Sequence, residues 1–299
     1  MPEKRKNMET ILIIGADKEV PRFLIERLGH MGVKCRAAFH NTESVNSSDY
    51  KENVERIRFD FSDMLSIKKA LRGVSSLFLV TPDRKELVSY VKSVTDLARE
   101  SSIKQVVFIS IMGADITYSG RIGAWYMEAE NIVRNCSIPF TILRSNCLMQ
   151  KVVSFVEPQT GMIYLPLGEA KVSLVDARDV AAVASGIFLP GAHHYSKTYN
   201  LTGNEALSMH QVAESLSQVI GREVGYVDIP EDTAADTLKK MHSPEKTELM
   251  LEYFHFLSSG QGSLLSSAEE IVSGIEPVSF IDFARDYAEI LRSRLAAAA

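Results

Sequence analysis

The chain has 299 residues, a formal net charge of −5 and 24% charged residues. That length suits one large domain, or a domain carrying a substantial lobe. The negative balance excludes the broad basic field of a nucleic-acid-binding protein, and the first apolar run, Ile11 to Ile14, is far too short for a signal peptide or a membrane span.

Residues 1–9 are polar, with a basic cluster at Lys4, Arg5 and Lys6, and are expected to be a disordered leader. TILIIG (10–15) reads as a buried strand ending in glycine. Residues 20–31 then place Val20, Phe23, Leu24, Leu28 and Met31 at helical spacing, Gly32 stops the helix, and VKCRAAF begins a second strand. A short strand closes at Ile57, followed by a helix from Asp63 to Leu71, a strand at 75–80, a helix at 84–101 and a strand at 104–110. A helix at 121–135 and a strand at 139–144 continue the series. Strands alternating with helices imply a doubly wound parallel sheet of Rossmann type.

Beyond about residue 146 the alternation loosens. VSLVDA (172–177) and KTYNLT (197–202) read as short strands, and 209–220, 245–257 and 279–293 as helices. Residues 10–150 are therefore read as the nucleotide-binding-like domain, and 151–295 as a smaller substrate lobe interleaved with its sheet. Cys35, Cys136 and Cys147 have neither the even count of a disulfide framework nor CxxC spacing, and reduced thiols in a cytoplasmic protein fit them. Seven histidines without HxxxH or HExxH spacing predict no metal.

The order of these segments resembles the NmrA-like branch of the atypical short-chain dehydrogenases/reductases. The resemblance is carried by GADKEVPRFLIERLGHMGVKCRAAFH, DFSDMLSIKKALRGVSSLFLVTP, VVFISIMGAD, AENIVRNCSIPFTILRSNCLMQ, VSLVDARDVAAVA and YNLTGNEALSMHQVAESLSQVIGREVGYVDIP, in that order. It implies a dinucleotide turn of the form GATGxxG at residues 15–21. A Rossmann turn uses its glycines for a tight bend, for backbone approach to pyrophosphate and for helix–strand packing. Here only Gly15 remains of the three. Lys18 replaces the second glycine, where a left-handed residue would be strained by roughly 1–2 kcal/mol, and Pro21 replaces the third. These two side chains are expected to fill the pyrophosphate gap, although Lys18 swung outward would pair with a phosphate at the helix N-terminus. The end of the second strand lacks the acid that holds an NAD ribose; Arg36 and His40 stand nearby, favouring NADP if any dinucleotide binds. The resemblance also puts Asp60, Phe61, Thr81 and Pro82 beside the nucleotide, where turn chemistry is their alternative role.

The proton-donating YxxxK pair of the superfamily is missing: none of the ten tyrosines has lysine four residues later. By the resemblance, Ser110 ends the fifth strand, Glu130 matches a glutamate common in the branch, and Tyr126 lies four residues before it. These three are the catalytic candidates, with Glu130 expected to orient Tyr126. Met112, Tyr118, Trp125, Met149, Phe155 and Tyr164 are expected to line an apolar pocket for a small hydrophobic or aromatic molecule. Tyr253 to Phe256 is either a cap on that pocket or a buried helix face. The two eroded motifs together favour an enzyme of specialised biosynthesis with non-redox chemistry, such as cyclisation, dehydration or isomerisation, working without a cofactor. One alternative is an NAD(P)H-dependent reductase of a quinone, imine or enone, and another a non-catalytic dinucleotide-sensing regulator. The expected partner is a small molecule, with a homodimer as the candidate assembly and neither nucleic acid nor a membrane involved.

Overall fold

The computed structural model describes residues 9–41, 50–116, 120–189 and 193–296, so most of the expected leader lies outside the described residues. The chain divides into two compact units. The first takes the residues through Ser110, Trp125–Arg144 and Val180–Tyr199; the second takes Ile111–Ala124, Ser145–Asp179 and the chain from Asn200 onward.

The strands are β1 (Thr10–Ile14), β2 (Lys34–Phe39), β3 (Val54–Arg58), β4 (Ser76–Leu79), β5 (Gln105–Ile111), β6 (Phe140–Ser145), β7 (Met162–Leu165), β8 (Lys171–Val172), β9 (Lys197–Leu201), β10 (Leu207–Ser208) and β11 (Gly225–Asp228). Seven of them form the central sheet in the order β3-β2-β1-β4-β5-β6-β9, and every pair from β3 to β5 is parallel. The first six strands follow the doubly wound Rossmann order, so the chain has that fold. A strand covered on both faces reads as a continuous apolar run. Leu12, Ile13 and Ile14 are accordingly all 0% exposed, and burying each such side chain contributes roughly 1.5–3 kcal/mol.

The helices of the first unit are α1 (Glu19–His30), α2 (Met64–Leu71), α3 (Leu87–Glu100), most of α4 (Gly120–Arg134) and, after α5 (Met149–Phe155) of the second unit, most of α6 (Ala177–Ile187). α1 buries Val20, Pro21, Leu24, Ile25 and Leu28 on one face. Pro21 occupies its first turn, where the missing N–H costs no helical hydrogen bond. Asp63 caps α2 by accepting from Leu65 N at 2.8 Å.

The second unit has α5, then α7 (Met209–Ile220), α8 (Glu231–Met241), α9 (Pro244–Ser258), α10 (Ala268–Ser273), α11 (Phe280–Asp286) and α12 (Ala288–Ala296). β7 pairs with β11 in parallel and β8 with β10 antiparallel. α7 starts in a capping box, Ser208 with Gln211, and ends at Gly221 with φ 74°. The core of this unit gathers Val172, Leu174, Val212, Leu216, Phe280 and Phe283. Two expectations are corrected here. The single helix at 279–293 is two, because the chain leaves helical geometry at Tyr287. The strand at 172–177 shortens to β8, because its continuation changes partner from residue to residue: Ser173 N donates to Gly262 O at 2.9 Å and Ser173 O accepts from Asn146 Nδ2 at 3.0 Å, Val175 meets Leu148 in an isolated bridge, and Asp176 opens α6 by accepting from Arg178 N at 2.8 Å.

All three cysteines are free and buried, and burial pushes the Cys35 thiol up to about 12. Among the described residues no helix is long and apolar enough to cross a membrane, and no group of three or more His, Cys, Asp or Glu is placed to hold a metal.

Candidate functional site

The β1–α1 turn keeps one obligatory glycine. Gly15 has φ +86°, and a Cβ there would lie 3.3 Å from Val80 Cβ and 3.4 Å from Val80 O. Gly15 N and Ala16 N both donate to Ala38 O, at 3.1 and 3.0 Å, and Lys18 N donates to Gly15 O at 2.8 Å. The strain expected at Lys18 is absent: its φ of −94° and ψ of 162° are extended backbone open to any L-residue. Its side chain is exposed and makes no capping hydrogen bond. Pro21 is buried on the packing face of α1. The expected backbone strain at residue 18 is thereby corrected. Lys18 is exposed, its Cγ 3.7 Å from where a Cβ on Gly15 would stand, and Pro21 takes over helix packing. The 12-residue α1 offers its positive N-terminus at this bend, and Lys18 adds a full cation, opposed by exposed Asp17 and half-buried Glu19.

Arg36 is occupied elsewhere. Its Nε donates to Glu55 at 2.7 Å, and Nη1 donates to Ala70 O and Arg72 O at 2.8 and 2.6 Å, tying β2 to β3 and to the end of α2. His40 is exposed at the end of β2. Asp60 accepts from Ser62 N and Ser62 Oγ at 2.9 and 2.7 Å, which holds its carboxyl below the usual range, helped by the charges of His40 and Arg58. Arg58 was not singled out in the sequence; it is exposed at the end of β3, and with His40 it makes the carboxyl ends of β2 and β3 basic. Phe61 is buried, stacked on Tyr90 at 4.9 Å and edge-on to Phe59. Thr81 is buried beside Tyr126, its hydroxyl making no hydrogen bond of normal geometry among the described residues, and Pro82 is half-buried.

The three catalytic candidates fall into two separate constellations. Glu130 is fully buried and accepts from Ser110 Oγ at 2.6 Å, from Arg144 Nε and Nη2 at 2.8 Å each, and from Arg134 Nη2 at 3.1 Å. Burial pushes its carboxyl up, but the bonds from Arg144, Ser110 and Arg134 outweigh that and leave it lowered. Glu130 does not orient Tyr126. The Tyr126 hydroxyl donates instead to Asp83 Oδ1 at 2.7 Å. Burial and then the Asp83 charge drive the phenol well above its ordinary value. This inverts the electrostatics of a YxxxK pair, where a cation eases proton release. Here a carboxylate opposes it, so Tyr126 is a fixed hydrogen-bond donor and a poor acid. Asp83 and Arg144 were both missed in the sequence. Arg144 had a signal: an arginine ending an apolar strand must be paired when buried. Asp83 had none, since its position after Thr81-Pro82 reads as an ordinary turn.

The residues expected to line an apolar pocket are divided between the two units. Trp125 is half-buried on α4 in the first unit. Met112 and Met149, 6% and 1% exposed, belong to the core of the second unit, with Phe155 packed against it. Tyr164 is exposed on β7, and Tyr118 lies outside the described residues. Phe254 and Phe256 are buried in the core of the second unit, while His255 faces solvent.

The NAD(P)H azoreductase of Xenophilus azovorans is 27% identical over 282 residues, covering 93% of this chain and 98% of that protein. The (4-alkanoyl-5-oxo-2,5-dihydrofuran-3-yl)methyl phosphate reductase of Streptomyces griseus is 28% identical over 290 residues, covering 93% and 98%. The crystal structure of Citrobacter sp. triphenylmethane reductase complexed with NADP(H) superposes with a TM-score of 0.80 at 21% identity, covering 93% of this chain and 99% of that one. The family model described as "NmrA-like family" matches residues 7–273, which is most of the chain. The chain belongs to the NmrA-like family.

Proposed function

We propose that this protein is an NADPH-dependent reductase of a small conjugated electrophile, such as a quinone, an azo compound, an iminium ion or an enone. The observation that carries the reading is the unstrained β1–α1 turn: extended backbone at Lys18, an exposed lysine, and a glycine at residue 15 whose Cβ would press on Val80. The non-redox reading rested on this turn together with the missing YxxxK pair, and the absence of strain at Lys18 weakens the first of the two. Two relatives aligned over 93% of the chain are named as reductases, which supports the same choice.

The residues fit a dinucleotide. Gly15 and the N-terminus of α1 would hold the pyrophosphate, with Lys18 compensating its charge. His40 and Arg58 would face the 2′-phosphate of NADPH, a role that Arg36 cannot share while bonded to Glu55. The bound cofactor would supply the hydride. The protein supplies no strong acid, because Tyr126 is tied to a carboxylate and Glu130 is locked among arginines. That restricts the substrate. Reduction of a simple ketone needs a proton delivered to a strongly basic alkoxide, whereas a quinone or a vinylogous acceptor leaves a delocalised anion that water can protonate. Tyr126 would donate a hydrogen bond to Asp83 throughout and keep that carboxylate in place.

The test is NADPH consumption by the purified protein with a para-quinone, an azo dye and a saturated ketone. Turnover of a conjugated acceptor without turnover of the ketone is expected. Turnover of the ketone with a tyrosine-like pH profile, or no NADPH consumption with any conjugated acceptor, overturns the reading.

A further inference from the structure

The first turn of α4 is held by a device that lies outside the constellations described above. Arg121 N donates to Glu252 Oε2 at 2.8 Å, and Arg121 Nε donates to Glu252 Oε1 at 2.7 Å. Arg121 Nη2 donates to Glu248 at 2.6 Å. Glu248 and Glu252 are four residues apart on α9 and so share one face of that helix. Glu252 thus acts as an N-cap supplied from another helix: its carboxylate satisfies an amide of the first turn and meets the positive end of α4. The fit is close. Gly120 has φ +67°, and a Cβ there would lie 2.6 Å from Glu252 Oε2. The same residues, with Leu251 and His255, border a cleft of about 330 Å³.

We propose that Glu252, together with Arg121 and Glu248, is a positioning clamp that fixes the start of α4 and so sets how tightly substrate is held. α4 is also the helix that presents Trp125, Tyr126 and Glu130. A single exposed ion pair would carry little weight, at about 0–1 kcal/mol. This arrangement adds a backbone cap, two carboxylates on one guanidinium and a glycine whose φ of +67° other residues rarely adopt. Releasing it frays the first turn of α4 without touching the bonds of Tyr126 or Glu130.

The kinetic part of the proposal rests on the reductase reading; the structural part does not. Amide hydrogen exchange over residues 120–126 is therefore measured beside turnover. Glu252→Ala removes cap and ion pair, and is expected to speed exchange there by about tenfold or more, with α1 and β1 unchanged. In the same variant the KM for the conjugated substrate rises about fivefold with kcat nearly constant. Arg121→Lys keeps the backbone bond and one cation, and restores most of both readouts. Should Glu252→Ala lose global structure, Arg121→Ala, which leaves the backbone amide on Glu252, provides the same exchange readout at smaller amplitude. Exchange at the wild-type rate in both alanine variants overturns the clamp. Faster exchange with unchanged KM overturns its role in substrate binding. Absence of any turnover in the wild type rejects the reductase reading and leaves the exchange result to decide the clamp.

Discussion

Two buried glutamates, one in each unit, are shifted in opposite directions although burial raises both. Glu130 in the first unit is held by Arg144, Arg134 and Ser110, and its carboxyl is lowered. Glu269 in the second unit is 1% exposed, accepts from the Thr202 amide on one oxygen and has no partner on the other among the described residues. Burial pushes it up to about 7, with the charge of Asp179 adding to the effect. Asp179, bonded to Val278 N at 2.9 Å, is itself raised to about 6 by burial. A buried carboxyl is therefore no catalytic signature by itself. Its partners decide whether it is a neutralised strut or a proton-binding group.

The largest effect expected from this contrast is at Glu130. Glu130→Ala strips the carboxylate from buried Arg144 and should cost about 3–5 kcal/mol in denaturant unfolding, with Glu130→Gln milder. A loss below about 1 kcal/mol would remove the strut from the account.

Next comes the pH response of Glu269. Its folded value lies above its unfolded one, so its favourable contribution is complete below about 4.5 and is lost as pH rises through about 7. The size of that loss is on the order of 3 kcal/mol, shared with the coupled Asp179. Glu269→Gln should leave thermal stability near pH 4.5 unchanged and raise it at pH 8. A variant equally shifted at both pH values would mean that Glu269 does not titrate in this range.

At the dinucleotide turn the balance is between Lys18 and its acidic neighbours. Lys18→Glu sets a third carboxylate beside Asp17 and Glu19 and should weaken NADPH binding about tenfold or more, or about 1.4 kcal/mol. Lys18→Gly should gain nothing in backbone strain, since the position is already extended.

The smallest effect is at Tyr126. In a YxxxK enzyme the equivalent loss removes acid catalysis worth about 10²–10⁴ in rate. Here Tyr126→Phe should change kcat by less than about fivefold, since the phenol is tied to Asp83 and gives up no proton. A loss of several hundredfold would make Tyr126 the acid after all.

The Rossmann order was legible because its central strands are buried on both faces and read as apolar runs, as in TILIIG and VVFIS. Helices α1 and α2 were legible through their apolar spacing and the cap at Asp63. The split at Tyr287 was not, because both halves keep helical spacing. At the candidate site, Gly15 was legible since a left-handed bend after a strand demands it. Lys18 was misread for the converse reason: the family's glycine there implied a left-handed residue, and the backbone is extended. The partnerships of Glu130 and Tyr126 were hidden because all but the Arg134 bond join residues 14 to 43 positions apart, and helical spacing alone suggested the wrong pair for Tyr126.

The central claim is that the β1–α1 turn accepts a dinucleotide phosphate despite its missing glycines. Calorimetric titration of the full chain with NADPH, beside NADH, tests it most directly. The account predicts saturable binding of NADPH, weaker binding of NADH, and loss of the NADPH signal in Lys18→Glu. Absence of heat with either nucleotide at millimolar concentration would contradict it.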